Sequence, residues 1–307
     1  MSQMHQGKSA FVWYFSLLAL ANLIWAGQGT AVKFLNRHLG PIAITFVPFY
    51  IATLILIPVL LRNRKRKALT WSDWRRFIIA GVCGQVLAQL GMTMGISKSL
   101  ASNAAILNLL IPVITAVLAS FMLGEKMTRL RWMALGLGLI GVFLLSIEDL
   151  RQSSFLEAKY LVGNLLICSG CLGSSFYNVY SKGLLRRFEE IEILIFSYIA
   201  ACAASVPLLT WVEPVRPAAF AAFDWKSWAA FGFLAVFMYG VSMLLFFHVL
   251  KHIDVTVASA SLYLLPVFGV LLAAFLLGER LSPVALCGAA VVLVSTVMIM
   301  KYDTASQ

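Results

Sequence analysis

The sequence predicts an all-α integral membrane protein with ten transmembrane helices arranged as two inverted-topology five-helix repeats. Three observations carry that prediction. The chain is 61% hydrophobic and only 12% charged, with a mean hydropathy of +0.89. It divides into ten apolar runs, each near the roughly 20 residues that a helix needs to cross a hydrocarbon core about 30 Å thick. It also contains one stretch twice: residues 101–127 and 255–281 align at a fixed offset of 154 with ten of 27 positions identical and no gap. The matches include Ala104/Ala258, Pro112/Pro266, Phe121/Phe275 and the closing trios Leu123-Gly124-Glu125 and Leu277-Gly278-Glu279. Apolar composition matches leucines by chance, but not a mid-segment proline and a Gly-Glu end at one spacing.

Taken in order, the expected spans are 11–32, 42–61, 77–96, 101–123, 130–147, 160–181, 191–212, 227–249, 255–277 and 282–300, called spans 1 to 10 below. The expected halves are 1–152 and 153–307. So many spans leave no room for a sizeable domain outside the membrane. Span 1 ends at Lys33, whose stem can snorkel to the interface. Span 2 carries Pro48 and Pro58 and is expected to kink or break. Between spans 2 and 3 lie seven basic residues, Arg62, Arg64, Lys65, Arg66, Lys67, Arg75 and Arg76. By the positive-inside rule this loop is cytoplasmic. Counting outward puts both termini inside, with 16 basic residues on that side against 8 outside. The net charge of +11 is therefore read as topology rather than as a nucleic-acid surface. Equivalent positions of the two copies are separated by five spans, an odd number, so the second copy enters the membrane upside down. Many secondary transporters share this plan and hold substrate near the midplane between the halves.

At this point the residues resemble a known family. Trp25 with Lys33, the Gly95–Leu107 run GISKSLASNAAIL, and Pro112 with Leu123-Gly124-Glu125-Lys126 carry the likeness in the first half. Leu250-Lys251-His252, Ala258-Ser259-Ala260, Pro266 and Leu277-Gly278-Glu279-Arg280 carry it in the second. Together they are similar to the EamA-type ten-helix transporters of the drug/metabolite transporter superfamily. The resemblance implies a carrier of a bacterial inner (cytoplasmic) membrane, often an exporter of amino acids or other small metabolites. One departure is that Pro48 stands where the family often has an arginine early in span 2.

Motifs of other chemistries are set aside on context. Gly136-Leu-Gly138-Leu-Ile-Gly141 is formally GxGxxG, but it lies inside an apolar run rather than between a strand and a helix. Small residues that let helices approach closely explain it, and likewise Gly91 and Gly95. The five cysteines all fall in spans; Cys168 and Cys171 form a CxxC without a histidine or second pair, so no zinc site is expected. No cofactor or metal is implied, and an enzyme would need a nucleophile or metal cluster that the spans lack. A non-transporting sensor would usually need a soluble domain. The expected partners are a small molecule and the bilayer, with the chain a monomer or weak dimer.

Polar and aromatic residues in mid-span mark the expected substrate cavity: Trp25, Gln28, Gln85, Gln89, Asn108, Tyr177, Asn178, Tyr239 and Tyr263. Gln85 and Gln89, four apart, share a helix face. Pro112 and Pro266 are expected to kink spans 4 and 9, freeing carbonyls near Asn108 and Tyr263. All 13 carboxylates lie in loops or at span ends, so a coupling residue must be sought in His248, near the inner end of span 8, or in Glu125 and Glu279. Each of these glutamates follows a Leu-Gly pair that suits a helix end, with Thr128 or Ser282 placed to cap the next helix. The turn reading of both is preferred. A fixed cation in low dielectric wants a carboxylate partner, so the expected substrate is neutral, zwitterionic or amphipathic, with amino acids leading. Aromatic faces can stand in for a carboxylate, which leaves amphiphilic cationic compounds as the alternative.

The topology is tested by single-cysteine labelling with an impermeant reagent. Applied from outside, the reagent should miss the 62–76 loop and reach the 148–159 loop; the reverse pattern would end the inverted-repeat argument.

Overall fold

The computed structural model describes residues 2–62, 69–99, 101–146, 157–277 and 283–303. Among the described residues the chain is helical, with short turns and no strand. Among the described residues, seven helices are long and apolar enough to cross a membrane: Phe11–Val32, Pro41–Arg62, Trp71–Ser97, Ala158–Leu184, Glu190–Val212, Trp225–His252 and Pro283–Lys301. They coincide with spans 1, 2, 3, 6, 7, 8 and 10. The other three spans run through shorter helices: span 4 as Ala101–Leu107 and Leu110–Leu123, span 5 as Arg129–Leu145, and span 9 as Val255–Ala260, a 3₁₀ turn Ser261–Tyr263, and Leu264–Leu277. The expected boundary between the halves, at 152/153, lies outside the described residues.

Local chemistry sets the span ends. Thr70 and Asp73 form a capping box at the start of span 3, and Glu189 with Glu192 does the same for span 7. Each box satisfies amides that have no partner within the first helical turn. Span 4 stops at Gly124, whose φ of 72° is the left-handed conformation that glycine adopts without steric cost. Thr128 then accepts from the Arg131 amide to begin span 5. The expected helix end at Leu-Gly-Glu is therefore found at Glu125; Glu279 lies outside the described residues.

The repeated prolines break their spans where a missing amide predicts. Proline cannot donate to the carbonyl four residues earlier, which is that of Asn108 in span 4 and of Leu262 in span 9. Span 4 is interrupted at Asn108–Leu109, and span 9 tightens into the 3₁₀ turn at Ser261–Tyr263. Neighbouring groups take up carbonyls around the span 4 break: the Cys171 thiol approaches Leu107 O at 3.5 Å and the Ser175 hydroxyl donates to Ile111 O at 3.1 Å. Two expectations differ from the structure. Span 2, expected to kink or break, is not broken: it runs as one helix through Pro48 and Pro58, each proline's fixed φ being compatible with a helix and its missing amide removing a single bond. Span 1 divides instead, at Gly27, between Ser2–Ala26 and Gln28–Leu35; a Cβ on Gly27 would come within 2.9 Å of Phe233 Cζ.

The spans pack in a pattern that survives exchange of the two halves. Span 3 lies against span 6, and its counterpart, span 8, lies against span 1. Span 2 against span 8 is matched by span 7 against span 3, while 2 with 7, 4 with 9 and 5 with 10 are their own counterparts. Small residues set the closest approaches. A Cβ on Gly91 would come within 2.7 Å of Gly170 N, and one on Gly141 within 2.8 Å of Val292 N. The GxGxxG of span 5 is thus a helix-packing surface, with Gly138 beneath the Tyr263 ring. Between lipid-immersed helices, with no water to exclude, such close backbone approach supplies association.

Gly136 has no atom within 4 Å of its virtual Cβ and serves as an internal control. Gly141→Leu should lower the thermal midpoint in detergent, through a loss of stability of roughly 1–3 kcal/mol, the range typical of overpacking, or more. Gly136→Leu should leave it unchanged. Equal effects of the two substitutions would contradict the packing assigned to the span 5–span 10 seam.

Candidate functional site

The candidate site is a column of aromatic and polar side chains that runs from mid-span, at Phe49, Gln85, Tyr198 and Tyr239, towards the end bearing His248, at Tyr177, Phe246 and Phe247, where spans 1, 2, 3, 6, 7 and 8 converge. Phe49 of span 2 lies at its centre, with ring centroids 4.5 Å from Tyr198 and 4.1 Å from Tyr239. The Tyr198 hydroxyl donates to the Tyr239 carbonyl at 2.9 Å. Towards span 6, the Tyr177 hydroxyl shares a 2.9 Å hydrogen bond with Ser197, and the Tyr177 ring packs against Gly84, the neighbour of Gln85 in span 3. Its ring packs 5.6 Å from Phe247. Phe247 adjoins Phe246, which packs 5.3 Å from Trp25 of span 1. Of the expected cavity residues, Trp25, Tyr177 and Tyr239 are therefore brought into one contact chain, with Gln85 beside it. Gln85, Tyr177, Tyr198 and Tyr239 are buried, so in this conformation the column is closed upon itself.

Backbone irregularity coincides with the column. Span 3 passes through a π-helical segment at Ala80–Val86, and span 8 through another at Phe233–Val241. Shifted by the 154-residue offset, the first maps onto 234–240, within the second. Gln85 and Tyr239 are themselves equivalent under that shift. A π turn widens the helix and misaligns its carbonyls, and such turns are frequent at functional sites. Here the Tyr198 hydroxyl occupies one of those carbonyls, and the Ser242 hydroxyl another, that of Met238.

The other expected residues occupy different places. Asn108 sits at the span 4 break, with its Oδ1 3.6 Å from the Cys171 sulfur. Tyr263 is buried at the span 9 break against Gly138. Pro112 is buried and Pro266 half-buried. Asn178 is buried; Gln89 and Gln28 are half-buried, Gln28 just beyond the span 1 break. Phe49, Tyr198, Phe246 and Phe247 belong to the column and escaped the sequence reading. Ser197-Tyr198, a polar pair inside an apolar run, was a usable signal for Tyr198. The three phenylalanines are indistinguishable in sequence from lipid-facing ones.

At the end of the bundle that carries Arg62 and Trp71, charged groups tie the spans together. Glu125 accepts from Val255 N at 2.7 Å, Thr256 N at 3.1 Å and the Thr256 hydroxyl at 2.7 Å. It thereby closes the end of span 4 onto the start of span 9. Arg131 reaches both Glu125 and Asp254. The Lys182 ammonium donates to the carbonyls of Leu250 at 2.7 Å and Ile253 at 2.9 Å, and Arg187 pairs with Asp73 at 3.1 Å. His248 is exposed at the same end, 3.6 Å from Glu190, and Lys251 binds Glu189 at 2.6 Å. Opposite, Glu213 at the end of span 7 accepts from Ile42 N and Ala43 N, closing onto the start of span 2. Both carboxylates meet the positive end of a helix, where an anion is favoured.

With this geometry in hand, the chain can be compared with known proteins. The EamA-like transporter family matches it twice, over residues 12–147 and 161–301. An "Uncharacterized transporter" of Archaeoglobus fulgidus is 23% identical over 93% of this chain and 98% of its own. A "Probable terminal-alkyne amino-acid exporter" of Streptantibioticus cattleyicolor is 23% identical over 75% of this chain and 74% of its own. An "S-adenosylmethionine uptake transporter" of Rickettsia conorii is 23% identical over 87% and 85%. A solved crystal structure shares the fold, with a TM-score of 0.76 and 18% identity over 93% of this chain and 97% of that one. Matched in both halves and built of helices long and apolar enough to span a membrane, the chain belongs to the EamA-like transporter family and is a membrane transporter rather than an enzyme.

Proposed function

We propose that the protein is a secondary transporter that exports small neutral, zwitterionic or amphipathic metabolites, amino acids foremost, across the bacterial inner membrane by alternating access. One observation carries this reading: the column is aromatic and hydrogen-bonding, spans both halves, and contains no carboxylate. Rings such as Phe49, Tyr198 and Tyr239 present apolar faces, while Gln85, Tyr177 and Ser197 offer neutral donors and acceptors. A substrate with a small polar head and an apolar body matches that set. The end bearing Glu125, Arg131 and Asp254 faces the cytoplasm, and both chain termini lie there. Amphiphilic cations are the second reading, favoured by the same rings, because a desolvated cation over an aromatic face is stabilised by as much as about 2 kcal/mol.

The residues take distinct roles. Trp25, Gln85 and Tyr239 line the path. Pro112 and Pro266 keep spans 4 and 9 broken, so that each can bend at mid-membrane. Glu125 holds the inner end of span 4 to span 9 as a turn residue.

A metabolite-resistance screen in cells overproducing the protein identifies the substrate, whose flux is then read in proteoliposomes. Trp25→Ala, Gln85→Ala and Tyr239→Ala should each reduce flux at least tenfold at unchanged protein level. Pro112→Ala and Pro266→Ala should lower flux more than insertion. Wild-type flux in all five, with normal insertion, would remove the column from the mechanism.

Glu125→Gln turns one acceptor oxygen into a donor that faces the Val255 and Thr256 donors. Its expected cost is about 1–3 kcal/mol of stability, with downhill flux per folded molecule nearly unchanged and independent of an imposed pH gradient. Substrate-driven proton movement lost in Glu125→Gln alone, with the protein properly inserted, would show instead that Glu125 is a coupling residue.

A further inference from the structure

Glu213 belongs to span 7, in the second half, and its carboxylate sits on the first turn of span 2, in the first half. Oε1 accepts from Ala43 N at 2.8 Å and Oε2 from Ile42 N at 3.1 Å. The helix opens at Pro41, so neither amide has a partner within it. Gly40, just before that opening, leaves the room that the carboxylate fills. A Cβ there would come within 2.3 Å of the Glu213 carboxyl carbon and 2.5 Å of both oxygens. At the other end of the bundle Glu125 makes the same kind of contact in the opposite sense, from span 4 of the first half onto the first turn of span 9 in the second. The two contacts are unequal. Glu125 has a third donor, the Thr256 hydroxyl at 2.7 Å. Its side chain is 6% exposed and lies 3.7 Å from Arg131, which is equally buried and pairs with Asp254 as well. Glu213 is half-buried, and among the described residues the hydrogen-bond partners of its carboxylate are the two amides.

We infer that Glu213 and Glu125 are opposed latches of unequal strength, Glu213 being the weaker one at the outer end, so that the resting transporter opens outward more readily than inward. This rests on the alternating-access reading and on the orientation proposed with it. Three physical points support it. Each carboxylate joins one half to the other at one end of the bundle. Rocking of the halves that opens an end must therefore break the latch at that end and can leave the other made. With both latches made, the column between them is closed, as the burial of Tyr177, Tyr198 and Tyr239 requires. The inequality follows from solvation. A buried carboxylate buttressed by a cation loses strong charge-assisted bonds in a low dielectric when it parts from its donors. A carboxylate at the rim exchanges two amides for water at little cost. Gly40 is then a positioning residue: it keeps the span 2 amides accessible to Glu213.

The test compares how fast an impermeant thiol reagent reaches Ser197→Cys, beside Tyr177 in the column, from outside and from inside, in full-length protein lacking its native cysteines. Right-side-out and inside-out vesicles give the two rates, and their ratio reads the balance of outward and inward opening without any substrate. In the parent the outside reaction should be the faster. Gly40→Ala displaces the Glu213 carboxyl while keeping its charge, and Glu213→Ala removes the carboxyl; each should raise the outside-to-inside ratio by about fivefold or more. Thr256→Val takes one donor from Glu125 at nearly constant volume and should lower the ratio. Should one outer-latch variant fail to insert, the other decides. A parent labelled faster from inside, an unchanged or lowered ratio in either outer-latch variant, or a ratio in Thr256→Val that does not fall would overturn the proposal. A parent that transports yet labels from one face only would contradict alternating access itself, which keeps the two failures apart.

Discussion

Inside a bilayer every backbone amide and carbonyl must find its partner within the protein, and the rest of this structure depends on how that constraint is met. Unbroken helices meet it automatically but leave nothing polar to offer a passing molecule. The chain therefore breaks or widens its helices at selected points and lends side chains from neighbouring spans to the loosened carbonyls. Ser175 and Cys171 serve span 4; Tyr198 serves the π segment of span 8; Tyr50 donates to Cys202 O of span 7 at 2.7 Å. Each of these bonds joins two spans. The polar interior of the transporter and the cohesion of its bundle are thus made by the same groups.

A second constraint acts at the membrane surfaces. Carboxylates are costly in lipid, and this chain places them at span ends, where they close one helix onto the start of another. Among the described residues, Glu125 on span 9 and Glu213 on span 2 do so at opposite ends of the bundle. A bond from a carboxylate to two successive amides is strong while made, yet water can replace it when a helix end tilts away. Contacts of this kind would suit the alternating opening proposed above, whereas the glycine seams between spans 3 and 6 and spans 5 and 10 bring backbones into direct contact.

Much of this was legible from the chain. Hydropathy located the spans, the offset of 154 exposed the duplication, and the two prolines marked breaks that the structure places within a few residues of them. The Leu-Gly-Glu end was readable because a left-handed glycine followed by a threonine cap is a local pattern. What could not be read is long-range. Glu125 was recognised as a turn residue, but its grip on Val255 and Thr256 depends on two spans 130 residues apart meeting end to end. Phe49 and Phe246 differ from lipid-facing phenylalanines only in what lies opposite them. Span 2 continues as one helix through its prolines, and span 1 divides at Gly27, where Phe233 lies too close for a side chain.

The central claim, that the column opens alternately to the two sides, is tested most directly by the accessibility of one position within it. Ser197→Cys, in a background with Cys83, Cys168, Cys171, Cys202 and Cys287 replaced, puts a thiol beside Tyr177 with little change in volume. An impermeant thiol reagent applied to right-side-out and to inside-out vesicles should reach it from either face, and saturating substrate should slow both reactions. Labelling from one face only, or equal labelling with and without substrate in a variant that still transports, would contradict the account.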